Sequence, residues 1–170
     1  MSEELYQVRQ GDVSEETLKE IISLKNQYWV HPYESQKKWI EENLCDDDIH
    51  LLLRIDQISV AYLSICHVKI TVDGTPCDML GIGNVCVGRD FAGKGLGRAI
   101  VLAANRIIMD KGHPGALLCH DALVGFYGRL GWKLLTYDTA TLAGRAYEDN
   151  VMLLQDSEQH AISVDINKNF

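Results

Sequence analysis

The stretch Val85-Cys-Val-Gly-Arg-Asp-Phe-Ala-Gly-Lys-Gly-Leu-Gly-Arg98 constrains the chain more than any other. An apolar, strand-like run enters a turn with glycines at 93, 95 and 97, and helical periodicity follows through Leu96, Ile100, Ala103 and Ile107. A strand, a glycine turn and a helix in this order place the helix N-terminus, with its unpaired N–H groups and partial positive charge, at the turn. Alternating glycines let consecutive backbone N–H groups converge on an anion, and a diphosphate fits such a cradle. Lys94 and Arg98 add cationic side chains beside it. Two other phosphate motifs match less well. Gly88, Gly93 and Lys94 begin a P-loop, but Gly95 stands where a Ser or Thr would ligate Mg²⁺, which disfavours nucleotide hydrolysis. Gly81-Ile-Gly83 supplies two glycines of a dinucleotide fingerprint, with Cys86 at the third, and lies within a strand instead of after one. The plain alternative is a glycine turn that binds nothing.

Around this unit the chain reads as one domain of mixed α/β class: a largely antiparallel central sheet flanked by about four helices. Glu4 to Arg9 is a strand, and Asp12 or Ser14 caps a helix reaching about Trp29 with Leu18, Ile21, Ile22 and Leu24 on its apolar side. Ser35 caps a second helix from Gln36 to Leu44, and the acidic run Asp46-Asp47-Asp48 reads as a solvated turn. Ile49 to Ile55, Ile58 to Val72 and Met79 to Val87 form a meander, with turns at Asp56-Gln57 and Asp73-Gly74. After the helix of residues 95–111 come a short buried strand from Ala116 to Cys119, a helix from Asp121 to Leu130, and strands from Trp132 and from Asn150 to Leu154. No repeat or linker divides the chain; a domain over 1–155 and a polar tail over 156–170 are expected.

Charge and composition exclude several classes. A net charge of −8 has the wrong sign for a general nucleic-acid binder and suits attraction of a cationic amine. No apolar run approaches the ~20 residues that span a bilayer, and the opening Met1-Ser-Glu-Glu-Leu lacks a basic region followed by an apolar stretch, so no membrane and a cytoplasmic location are expected. Five cysteines without a Cys-x-x-Cys spacing read as buried free thiols, and no Cys/His pair repeats as a metal site would require.

The glycine turn resembles the pyrophosphate loop of the GNAT superfamily of N-acetyltransferases, commonly Gln/Arg-x-x-Gly-x-Gly/Ala. Gly95 and Gly97 occupy its two small positions, while Ala92 stands at the leading Gln/Arg and Arg89 at a usual Pro. A second segment, His120-Asp-Ala-Leu-Val-Gly-Phe-Tyr-Gly-Arg-Leu-Gly-Trp132, resembles the family's Asn-x-x-Ala-x-x-x-Tyr-x-x-x-Gly-Phe, with Tyr127, Gly131 and Trp132 in register and His120 replacing Asn. The resemblance covers about residues 81–133.

It implies acetyl-CoA as cofactor and direct transfer of its acetyl group to a primary amine of a small molecule or an exposed protein amine, and it leaves room for a homodimer. It further implies that the pantetheine arm runs beside Val85, Cys86 and Val87, pairing like an added strand, and that the diphosphate sits over Ala92, Gly93, Lys94, Gly95, Leu96, Gly97 and Arg98. Tyr127 is the candidate proton donor to the departing thiolate. For the base that accepts the amine's proton the polar candidates are Asp78, Asn84 and His120, with His120 carried forward as catalytic. Cys119 and His120 are adjacent on an extended segment and point to opposite faces, so they make no nucleophilic pair. Tyr28, Trp29, His31 and Tyr33 cluster where the family builds part of its acceptor pocket. The non-enzymatic rival is a CoA-binding sensory module.

Overall fold

The computed structural model describes residues 1–154 and 159–170. It has a mixed α/β fold in which four α-helices accompany a large, mostly antiparallel sheet of nine strands among the described residues. The chain divides into two compact units: Met1–Cys66 with Gly83–Ala104, and His67–Ile82 with Asn105–Phe170.

In the first unit, β1 (Glu3–Arg9) pairs antiparallel with β2 (Ile49–Ile55), and β2 with β3 (Ile58–Val72). The turn between β2 and β3 holds Asp56 and Gln57 at φ 49° and 69°, the left-handed pair that matches the twist of a two-residue hairpin. Helix α1 (Glu15–Asn26) begins at Ser14, whose hydroxyl accepts the Thr17 N–H at 3.1 Å, with Glu15 and Glu16 favourably placed in the first turn. Its Leu18, Ile21, Ile22 and Leu24 are buried, as their spacing predicts. Helix α2 (Tyr33–Asn43) begins three residues earlier than Gln36. Pro32 presets the helical entry, and its carbonyl accepts the N–H groups of Ser35 and Gln36 at 3.0 and 3.1 Å, so Ser35 caps nothing. Asp48 is also not solvated: it is buried and its carboxylate accepts the Cys45 N–H at 2.8 Å.

Strand β4 (Thr75–Val87) and helix α3 (Leu96–Asp110) contribute residues to both units. In the second unit β4 pairs parallel with β5 (Gly115–Cys119), β5 pairs antiparallel with β8 (Asn150–Leu154), and β8 with β6 (Trp132–Leu142); β6 ends in a hairpin to β7 (Arg145–Ala146). Helix α4 (Asp121–Gly128) follows β5. Trp132 is buried and donates from Nε1 to Asn105 Oδ1 at 3.1 Å, while Asn105 donates to the Leu130 carbonyl at 2.9 Å.

The segment read as a polar tail is a correction. Residues Gln159–Ile166 form β9, parallel to β6 and antiparallel to the end of β3. Ala161, Val164 and Ile166 face inward and the polar residues between them hid the pattern. Phe170 closes the chain over Gly81, where an added Cβ would lie 2.5 Å from the ring. That contact, not a nucleotide fingerprint, accounts for glycine at 81. The boundary drawn at 155/156 falls outside the described residues. Among the described residues no helix is long and apolar enough to cross a membrane.

Candidate active site

The glycine turn has the geometry its sequence implies. Gly88 N–H donates to the Val60 carbonyl at 2.8 Å, a short 3-10 turn spans Arg89–Phe91, and Ala92 is extended. Gly93 and Gly95 then adopt φ 76° and 78°, which side-chain-bearing residues resist, and α3 starts at Leu96. A Cβ on either glycine would meet no atom within 4 Å, so open space lies over the turn. Ala92, Gly93, Lys94, Gly95 and Arg98 are exposed, Gly97 half-buried and Leu96 buried. The Lys94 amine sits 5.1 Å from the centre of the Phe91 ring. Exposed backbone, left-handed glycines and the start of a 15-residue helix fit a diphosphate, the part of CoA that such a cradle would hold.

Arg89, where the family resemblance leads one to look for Pro, is used structurally. Its backbone N–H donates to Gln27 Oε1 at 2.8 Å and its guanidinium to the Gln27 carbonyl at 2.6 Å, fastening the turn to the end of α1. A proline there would have no N–H to give.

The last turn of α1 lies over the end of β4. Tyr28 donates its hydroxyl to the Val87 carbonyl at 2.6 Å, and Leu24 approaches Gly88. Between them Lys25 is 4% exposed, with its amine 4.5 Å from the centre of the Trp39 ring. Burial lowers this amine to about 8, partly offset by nearby Cys86. Cys86 is itself buried and its thiol is pushed up to about 12, so it is no nucleophile. His50, fully buried, is lowered to about 4 by desolvation and then by Lys25; its Nδ1 meets the Tyr62 hydroxyl at 2.8 Å and its Nε2 meets Gln10 Oε1 at 2.6 Å. Asn84, one of the candidate bases, shapes backbone instead: at φ 55° it bends β4, its amide donates to Ser64 Oγ at 3.0 Å, and Ser64 donates to the Gly83 carbonyl at 3.2 Å.

The four candidate acceptor residues are divided in what they do. Tyr28 and Trp29 are 46% and 42% exposed, with ring centres 6.2 Å apart. Gln36 donates to the Trp29 carbonyl at 2.7 Å, and Asn26 accepts the His31 N–H at 3.0 Å, which fixes the connection between α1 and α2. Tyr33 spends its hydroxyl on Glu15 at 3.2 Å.

In the second unit, Tyr127 is 6% exposed and burial pushes its phenol up to about 12. Among the described residues its hydroxyl makes no hydrogen bond, and Phe126 meets its ring edge-on at 5.0 Å. His120 precedes α4 and is exposed, its Nδ1 3.0 Å from Asp149 Oδ2. Cys119 is buried, in contact with Met152 at 3.8 Å and pushed up to about 11, which leaves no thiol partner for His120. Asp78 is exposed, 3.8 Å from Lys69. All five cysteines are free, but Cys45 is exposed and Cys77 half-buried, so only three fit the expected burial.

The family model described as Acetyltransferase (GNAT) domain matches residues 10–135. The chain belongs to the GNAT acetyltransferase family. Solved structures of similar fold include Escherichia coli ElaA, at TM-score 0.67 and 19% identity over 91% of this chain and 100% of that one. An acyl-CoA N-acyltransferase from Pseudomonas aeruginosa follows at 0.61 and 22%, covering 90% and 99%. The ribosomal-protein-S18-alanine N-acetyltransferase of Escherichia coli gives 0.63 and 17%, covering 95% of each chain. Comparison with curated proteins gives no match. Membership of the GNAT family makes this an acyl-CoA-dependent acyltransferase fold.

Lys25, Asp149 and the bonding of Arg89 to Gln27 are not legible in the motifs of the sequence. Lys25 left a signal: with Leu18, Ile21 and Ile22 it completes the helical stripe that faces inward, an unusual place for an amine. Asp149 left none, because its distance from His120 in the chain hides their pairing.

Proposed function

We propose that this GNAT protein transfers an acetyl group from acetyl-CoA directly to a primary amine, and that the glycine cradle opening α3 carries the reading. Its open left-handed turn, at a helix start, offers the backbone donors that a diphosphate needs. Acetyl-CoA supplies the activated acyl group as a thioester. Residues 92–98 bind the diphosphate, Val85, Cys86 and Val87 border the pantetheine arm, and a backbone N–H of Val85 or Cys86 polarises the carbonyl that is attacked. Tyr28 and Trp29 offer aromatic faces to the acceptor, with His31 and Tyr33 beyond them.

Tyr127 serves as hydrogen donor to the departing sulfur. With its phenol near 12 and a thiol near ~8.5, complete proton transfer is uphill, so Tyr127 stabilises the developing thiolate chiefly through a hydrogen bond. His120, its Nδ1 held by Asp149, has Nε2 left to accept the proton of the amine.

Calorimetric titration with acetyl-CoA, followed by CoA release measured across a panel of small amines and peptides, tests the activity. Binding and turnover are the expected result. Binding with no turnover on any amine would replace this reading with the sensory module, and absence of binding would remove both.

A further inference from the structure

Among the described residues the Lys25 ammonium is a buried cation without a counterion. The chain has 24 acidic residues, and among the described residues the lysine and arginine ion pairs engage Arg9, Lys37, Lys38, Arg54 and Lys69 at the surface or near it. Lys25 is 4% exposed, and its amine forms no ion pair or hydrogen bond among the described residues; it lies over the face of Trp39 on α2. Among those residues no sealed side-chain N or O lacks a partner, so this amine, having none, must reach solvent at its tip. The titratable groups that act on it or feel it are Cys86 on β4 and His50 on β2, both uncharged at neutral pH. At about 8 the amine is mostly protonated at neutral pH, with the indole face of Trp39 beside it. A desolvated charge of this kind is costly until an anion pairs with it.

Its position says which anion. Lys25 lies in the last turn of α1, next to Leu24, whose side chain is 3.5 Å from where a Cβ on Gly88 would stand, and three residues before Tyr28, which is bonded to Val87. It therefore stands beside the strand end that the acyl group is to border and one turn before the exposed Tyr28–Trp29 pair. We propose that the Lys25 ammonium anchors a carboxylate of the acceptor, so that the amine acylated here belongs to an amino acid or another small molecule carrying a carboxylate close to its amine. This deepens the acyltransfer reading and rests on it for the nature of the ligand. Lys25 is a binding residue in this scheme: it sets which amine is presented, and the bond changes occur at the thioester. The mostly protonated state also favours this role over that of a base, which would have to be neutral before the amine arrives.

The test compares a carboxylate with its uncharged amide. Full-length protein is titrated calorimetrically with N-acetylglycine and with N-acetylglycinamide, in the presence and absence of CoA. The acid is expected to bind at least ~10-fold more tightly than the amide to wild type, as a single good charge pair gives, and Lys25→Met should bring the ratio close to one. Equal affinity for acid and amide in wild type, binding of neither, or a preference that survives in Lys25→Met overturns the proposal. If Lys25→Met does not fold, NMR titration of the wild-type Lys25 ammonium decides: acetate should raise its midpoint, and an unmoved midpoint rejects the site. Acetyl-CoA binding is measured separately. Its absence would defeat the acyltransfer reading, while the titrations without CoA still decide whether Lys25 holds a carboxylate.

Discussion

The Tyr28 hydroxyl donates to the Val87 carbonyl at 2.6 Å, tying the end of α1 to the last residue of β4. Arg89, one residue past Gly88, reinforces that tie through Gln27 and lies with its guanidinium 5.5 Å from the centre of the Tyr28 ring. The strand end from which the cradle departs is thus held by side chains of the helix over it. Tyr28→Phe removes the hydrogen bond and keeps the ring. A stability loss of about 0.5–1.5 kcal/mol is expected in urea unfolding, with acetyl-CoA affinity weakened roughly two- to tenfold as the strand end loosens. Unchanged stability together with unchanged affinity would show that the bond does not position the cradle.

Gly95→Ala separates backbone strain from ligand exclusion. At φ 78° an alanine costs about 1–2 kcal/mol, and because nothing lies within 4 Å of the new Cβ, that cost is conformational. Gly144, in the β6–β7 turn, has the same φ of 78° and the same open surroundings. The two alanine variants should therefore melt alike, while only Gly95→Ala loses acetyl-CoA affinity, by about 10-fold or more, since its methyl group enters the space of the diphosphate. Equal cofactor affinity in the two variants would move the phosphate site elsewhere.

The parts of this fold legible in sequence are those governed by local rules. β2, β3 and β8 begin and end where alternation and turn residues placed them, and Ser14 caps α1 as its chemistry predicts. The cradle was legible for the same reason: a left-handed turn leaves its mark as glycine. Features created by distant partners were not. β9 depends on β3 and β6 to pair its backbone, and its apolar positions are too few to declare a strand alone. The engagement of Asn84 with Ser64, of Tyr33 with Glu15 and of His120 with Asp149 joins residues far apart in the chain, which no spacing reveals. Lys25 was visible as an odd residue on an apolar stripe, but that it has no counterion among the described residues emerges only from the packed helix and sheet.

His50 sets part of the acid limit of stability. Its imidazole is lowered from 6.5 to about 4 by burial, so the folded state binds fewer protons than the unfolded state between these values. Stability from this group is complete above pH 6.5 and is lost as pH falls through about 4, with a slope of up to ~1.4 kcal/mol per pH unit. Urea unfolding measured from pH 7.5 to 4 (~0.5-unit steps) should show that slope in wild type and a shallower one in His50→Gln. Parallel profiles would mean that other groups carry the acid transition.

Tyr127→Phe provides the sharpest test of the chemistry. The phenol is buried, its hydroxyl makes no hydrogen bond among the described residues, and its midpoint of about 12 keeps it protonated across the working range. Removing the hydroxyl should lower kcat by about 10²- to 10⁴-fold while acetyl-CoA affinity changes little, the pattern of an interaction made in the transition state. Because the folded midpoint is raised from 10 to about 12, the stability that Tyr127 contributes is fully present below pH 10 and is lost as pH rises through 12. The rate should accordingly show no ionisation of Tyr127 below about pH 10, and any alkaline limit below that belongs to another group. A Tyr127→Phe enzyme with wild-type kcat would leave the tyrosine a packing residue of α4 and reassign protonation of the leaving sulfur to solvent.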